Sequence, residues 1–264
     1  MSNTLKRVIV GLIAIPVLIL IILNGGIYFL IFSLLICAFA MWELFSIFVN
    51  KNFFPLKYIS IFLSLLITIL FYFEISNFYY LILLYIPIIT TAEIFRKDNA
   101  SPVNILISLF GFFYISLPIL LMNYIINLEI FNYVLYSIIL VWTCDTFAYF
   151  GGKKFGKHKL SVISPNKTIE GSAIGFIFTL IFSFLFHFIF PTQISLTDAI
   201  VMGLLVGFFA QIGDLFESLL KRYTGVKDSS ELIPGHGGVL DRFDSLLFVT
   251  PIVFVYIVFF KNLF

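Results

Sequence analysis

Charge is scarce in this chain, and that scarcity is its first constraint. Asp, Glu, Lys and Arg make up 11% of 264 residues, and mean hydropathy is +1.10. A water-soluble core wrapped in a charged surface cannot be built from such a composition. A broad basic field is missing as well: sixteen Lys and Arg stand against fourteen Asp and Glu, a net charge of +2, which argues against a nucleic-acid partner. Cysteine is nearly absent. Cys37 and Cys144 lie inside apolar runs and form no CxxC pair, which excludes a disulfide framework or zinc site and marks both as small buried hydrophobes. Period-two alternation is lacking too, so the apolar runs read as helices and not as barrel strands.

What the chain has is long apolar runs. A helix needs about 20 apolar residues to cross a ~30 Å hydrocarbon layer. Nine runs meet or approach that length, at 8–23, 27–49, 58–73, 78–95, 103–126, 130–150, 172–190, 196–217 and 245–260. The first follows Lys6 and Arg7, and no small-residue cleavage site comes after it, so it reads as a retained membrane segment. The first and third runs are short, which leaves a tilted hairpin or re-entrant pair open near the N-terminus. The expected fold class is therefore all-α: a polytopic integral membrane helix bundle of about nine transmembrane helices. It is expected to form a single membrane domain over 1–264, with N-terminal helices in 1–130 and C-terminal helices and polar loops in 131–264.

The loops between these runs sort by charge. Lys6, Arg7, Lys51, Lys57, Arg96, Lys97, five lysines in 151–171, and Lys221, Arg222, Lys227 and Arg242 all fall on one side of a nine-span chain. Only Lys261 falls on the other, so fifteen of sixteen basic residues share a face. The positive-inside rule makes that face cytoplasmic, with the N-terminus on it, in a cell membrane.

The acids gather at the same depth. Asp145 lies in the last turns of the sixth run, Asp214 and Glu217 close the eighth, and Asp241 and Asp244 open the ninth. Charges within spans are expensive, on the order of 2.5–3.5 kcal/mol each at a helix centre by insertion scales, and are functional candidates by default. Glu43 and Glu93, near the inner ends of the second and fourth runs, read more simply as satisfied end carboxylates. Asp214, Glu217, Ser218 and Lys221 stand at i, i+3, i+4 and i+7, on one face of any helix that continues through them. Several carboxylates surrounded by Lys and Arg suit a hard cation. Mg²⁺ is the natural choice, because it takes a few carboxylates together with water and phosphate oxygens. The cations would meet the remaining phosphate charge. Glycines in GHGG at 235–238 and at Gly151 and Gly152 are expected to bring backbone amides to an anion. His236 reads as a phosphate donor, a base or a metal ligand, and His187 as a packed or hydrogen-bonded histidine.

SLLKRYTGVKDSSELIPGHGGVLDRFD at 218–244 closely resembles the signature of the phosphatidate cytidylyltransferase (CDP-diacylglycerol synthase) family. WTCDTFAYFGGKKFGKHKL at 142–160, SPNKTIEG at 164–171 and QIGDLFES at 211–218 resemble the family's other recurring segments, in order. The likeness is strong in the C-terminal half, whereas the first 130 residues match only as apolar spans. Asn166 and Ile169 stand where the family more often has a lysine and a tryptophan. The resemblance implies formation of CDP-diacylglycerol and pyrophosphate from CTP and phosphatidic acid, with Mg²⁺ and a second cation such as K⁺, and it admits a homodimer. It makes Asp214 and Asp241 the principal metal carboxylates, with Asp145, Glu217 and Asp244 as further candidates. Lys221, Arg222, Lys227 and Arg242 would be catalytic cations. Lys167, Ser218, His236, Gly237 and Gly238 would contact substrate.

Two rivals belong to other classes. An ion-coupled transporter also uses intramembrane carboxylates, but it predicts acids near the midplane and two related halves. A polyprenol kinase or CDP-alcohol phosphotransferase would share the lipid-phosphate chemistry, although the paired DGxxAR and GxxxDxxxD signature of the latter is absent.

Overall fold

The computed structural model describes residues 3–75, 78–128, 131–233, 235 and 237–261. Among them the chain is helical, with isolated bridges at Lys159–Thr168 and Ile233–Gly237 as the only β pairings. Nine helical rods follow one another: α1 Asn3–Asn24, α2 Gly26–Val49, α3 Lys57–Tyr72, α4 Phe78–Ile94, α5 Pro102–Ile126, α6 Tyr133–Phe155, α7 Ile169–Ile189, α8 Leu196–Thr224 and α9 Leu240–Phe260. Six are long and apolar enough to cross a membrane, namely α2, α5, α6, α7, α8 and α9, while α1, α3 and α4 contribute shorter apolar stretches. α5 and α9 each contain a π-helical turn, at Phe112–Ser116 and Tyr256–Phe260.

Local chemistry sets the ends. Ser101 caps α5 by accepting from Val103 N at 3.3 Å, with Pro102 in the first turn. Asn132 caps α6 through Leu135 N at 2.9 Å, and Thr168 caps α7 through Gly171 N at 3.1 Å. Gly25 and Gly26, with φ of 59° and 51°, turn the chain between α1 and α2 in a conformation that a side chain would strain.

The rods assemble into two compact units, Met1–Asn127 with Tyr223–Phe243, and Leu128–Arg222 with Asp244–Phe264. The first unit thus joins the polar segment 223–243 to the N-terminal helices. In this first unit α3, α4 and α5 close on Leu63, Ile67, Tyr85, Ile89, Phe112 and Leu120, with the rings of Tyr85 and Phe112 4.6 Å apart. Some buried polar groups are met within it. Asn123 donates to Ser33 Oγ at 2.9 Å. Glu93 accepts from Ser101 N at 2.9 Å and Asn104 Nδ2 at 2.6 Å, and pairs with Arg96 at 3.3 Å, as a satisfied end carboxylate should.

The second unit is organised by glycine. A Cβ on Gly171 would come within 2.6 Å of Ala148 O, one on Gly175 within 2.7 Å of Cys144 O, and one on Gly151 within 2.8 Å of Ile174. Small residues thus let α6 and α7 approach backbone to backbone, the usual means of packing helices where no hydrophobic drive acts between them. The stacked rings of Phe147 and Phe178, 3.9 Å apart, lie along the same seam. Where the start of α8 meets the end of α9, Asp198 accepts from Tyr256 at 2.7 Å and pairs with Lys261 at 3.0 Å, and Lys261 also contacts Tyr133 Oη. Lys261 therefore has a buried partner. His187 bonds Ile194 O at 2.7 Å, and both cysteines are buried and free, as expected.

Gly175→Val should lower the thermal unfolding midpoint of the detergent-purified protein, because overpacking a tight contact costs about 1–3 kcal/mol. Gly11→Ala, where an added Cβ meets nothing within 4 Å, should leave the midpoint unchanged or slightly higher.

Candidate active site

Two helices of the second unit bring three acids together. α8 continues to Thr224 instead of ending where hydropathy falls, because Glu, Leu, Lys and Arg are good helix formers and Glu217 pairs with Lys221 one turn on. Asp214, Glu217, Ser218 and Lys221 therefore share a face well inside a helix and do not close it. α6 likewise runs on to Phe155, which leaves Asp145 ten residues short of its end. Gly213 decides how near α9 can come. A Cβ there would stand 2.7 Å from Phe248 Cβ, 3.0 Å from Ser245 Cα and 3.1 Å from Asp244 O. Through this gap Asp214, Glu217 and Asp244 each bring a carboxylate oxygen within 4.8 Å of the others. Glu217 is 1% exposed and Asp244 8%.

Cations answer part of this charge. Lys221 Nζ lies 2.5 Å from Glu217 Oε2, and Lys167 Nζ pairs with Asp214. Lys167 reaches it from the connection between α6 and α7. That loop is held by Leu160 N to Lys167 O at 2.9 Å and Ile169 N to His158 O at 2.9 Å. Glu170 fastens its far side, accepting from Lys157 N at 3.0 Å and contacting His158 Nδ1 at 2.6 Å. Asn166 is exposed. Asp145 is exposed on α6, and its charge reaches Asp244, as do those of Asp214 and Lys221. Gly151 and Gly152 do not form a phosphate cradle. They lie inside α6 and serve its contact with α7, because a helical N–H is already given to the preceding turn.

The first unit holds the other candidates. Asp241, in the first turn of α9, accepts through Oδ2 from Gly238 N at 2.7 Å, Ser229 N at 2.9 Å and Ser229 Oγ at 2.9 Å. Gly237 has a φ of 80°, and its carbonyl accepts from Ile233 N at 2.9 Å. The Gly238 amide is thus turned to Asp241 within the protein. Lys227 and Arg242 are exposed, as is Arg222 in the second unit, whereas Ser218 is buried. His236 lies outside the described residues.

The structure thus gathers Asp214, Glu217, Asp244, Lys167 and Lys221 in one unit, and Gly237, Gly238 and Asp241 in one loop of the other. Sequence reading missed Gly213 and Ser229, and although it read Glu43 as a satisfied carboxylate it did not find its partners. Gly213 had a signal, a small residue beside an acid on a helix, while Ser229 had none. The acid group fits a hard cation. One carboxylate oxygen from each of the three residues lies within 4.8 Å of the others, and oxygen donors of this kind are what Mg²⁺ takes. Three carboxylates against two lysines leave charge for such an ion to balance.

Six helices long and apolar enough to cross a membrane define a class: a helical integral membrane protein. Residues 5–260 match the model of the Cytidylyltransferase family, and the chain belongs to that family. It is 35% identical over 261 residues to a phosphatidate cytidylyltransferase of Staphylococcus haemolyticus, covering 95% of this chain and 96% of that one. The protein of that name from Staphylococcus saprophyticus is 34% identical over 258 residues, 94% of this chain and 96% of its own. That of Bacillus subtilis is 45% identical over 124 residues, 47% of this chain and 46% of its own.

Removing Lys221 would leave the buried Glu217 carboxylate without its nearest cation, which in such pairs costs about 3–5 kcal/mol. Lys221→Met should therefore lower the unfolding midpoint markedly, and the double variant Lys221→Met/Glu217→Leu should recover most of it.

Proposed function

We propose that this chain joins CTP and phosphatidic acid to give CDP-diacylglycerol and pyrophosphate, at the cytoplasmic face of a cell membrane. The observation that carries this reading is the relation to phosphatidate cytidylyltransferases over nearly the whole length of both chains. The acid and lysine group supports it, since nucleotidyl transfer needs positioned charge more than covalent help.

A phosphate oxygen of phosphatidic acid, anionic at neutral pH, attacks the α-phosphorus of CTP. The bond from that phosphorus to the oxygen bridging the β-phosphate breaks, and pyrophosphate leaves. No proton has to be removed from the nucleophile, so no general base is needed. Asp214, Glu217 and Asp244, with Asp241 and Asp145 as further candidates, would hold Mg²⁺, which would supply positive charge to offset that of the phosphates. Lys167 and Lys221 are placed to exchange carboxylate for phosphate. Arg222, Lys227 and Arg242, all exposed, add cations for the triphosphate or the lipid phosphate. Ser218, His236, Gly237 and Gly238 complete the proposed substrate contacts.

The proposed topology has nine spans and a cytoplasmic N-terminus, with fifteen of sixteen basic residues on that face. The acid group suits such a depth. Asp198 and Glu217 are separated by about 28 Å along α8 at 1.5 Å per residue, close to a hydrocarbon thickness. A soluble polyphosphate and a lipid phosphate can meet only at such a boundary. A second cation such as K⁺ and a homodimer belong to the same reading.

Purified protein given labelled CTP and phosphatidic acid should form CDP-diacylglycerol, and the product should vanish with EDTA and in Asp214→Asn. Folded protein that makes no product with any nucleotide would overturn the reading and bring the cation-transport alternative forward.

A further inference from the structure

We infer that Glu43, on α2 and 186 residues or more from its partners, is a positioning residue for the transfer reaction, holding the loop that carries Lys227, Asp241 and Arg242. The inference rests on the nucleotidyltransferase reading above. Glu43 is 3% exposed, and its carboxylate is met entirely by donors of this loop. Oε1 accepts from Ser230 Oγ at 2.5 Å and Val239 N at 2.9 Å. Oε2 accepts from Leu240 N at 2.7 Å and shares the single Ser229 hydroxyl proton, at 3.0 Å, with Asp241 Oδ2.

The two backbone donors belong to the start of α9, whose first amides have no carbonyl in their own helix. A carboxylate there also faces the positive end of the helix dipole. Glu43 therefore does for α9 what a capping residue does, but from another helix. Ser229 links this contact to the site, since the hydroxyl it turns to Glu43 lies 2.9 Å from Asp241 Oδ2. The fit is close on the glycine side too. A Cβ on Gly238 would stand 2.0 Å from Ser229 Oγ, 2.5 Å from Glu43 Oε2 and 2.6 Å from Glu43 Oε1. Glycine at 238 and glutamate at 43 thus occupy one space between them.

Glutamine cannot replace this carboxylate. Whichever way the amide is turned, its NH₂ faces the N–H of Val239 or of Leu240, and one backbone bond is lost. Glu93 provides the comparison, a buried carboxylate of the same unit with three donors, none of them in this loop.

The test compares wild type, Glu43→Gln, Glu43→Asp and Glu93→Gln in detergent, reading unfolding midpoint, kcat and KM for CTP, and hydrogen exchange of peptides from 229–243. In Glu43→Gln, kcat per folded molecule should fall about 10–100-fold, the range found when the groups that orient site residues are removed. Exchange at 239–240 should rise. Glu43→Asp, which keeps both acceptors on a shorter arm, should recover part of each. Glu93→Gln should lower the midpoint while keeping kcat per folded molecule and the exchange of 229–243. Wild-type kcat in Glu43→Gln, or a loss matched by Glu93→Gln, would overturn the inference, as would unchanged exchange at 239–240. Wild type inactive with CTP and phosphatidic acid would instead sink the reaction assigned above. The exchange comparison would then still decide whether Glu43 holds the loop.

Discussion

Every carboxylate carried into this apolar bundle has to be met by a donor or a cation. An unanswered charge in such a setting costs several kcal/mol, and an isolated ion far more. The described buried acids follow that constraint in different ways. Glu93 is closed by Arg96, Ser101 N and Asn104. Asp198 is closed by Ser195, Tyr256 and Lys261. Glu43 is closed by four donors of one loop. In each case the answer is fixed within the protein.

The exception is where three acids share one place. Asp214, Glu217 and Asp244 draw on Lys167 and Lys221, and lysine is a flexible point charge that can turn from a carboxylate to a phosphate. Such a group is where the proposed cation and phosphate oxygens would enter without dismantling any helix. It exists because glycines let the rods approach so closely: Gly213 between α8 and α9, and Gly171 and Gly175 between α6 and α7. Packing without side chains thereby positions residues whose chemistry depends on side chains.

Much of the fold was legible because hydropathy reports membrane burial directly. The nine rods lie within a few residues of the nine apolar runs. The errors fall where polar residues continue a helix, as at Lys153–Phe155 in α6 and Ser218–Thr224 in α8. Hydropathy stops there, while backbone hydrogen bonding does not. The same blindness made Gly151 and Gly152 look like a phosphate loop, because a glycine pair has one composition in a turn and in a helix seam.

The sequence by itself determined the apolar medium and the all-helical class, since each follows from composition and spacing along one chain. Tertiary structure alone decided which acids share a place, and that the Asp241 carboxylate is held by Gly238 and Ser229. It alone decided that Glu43 grips a loop some 190 residues away. Those are contacts between elements remote in sequence. They are set by where glycine permits close approach and where a buried carboxylate must find donors, and no local pattern records either.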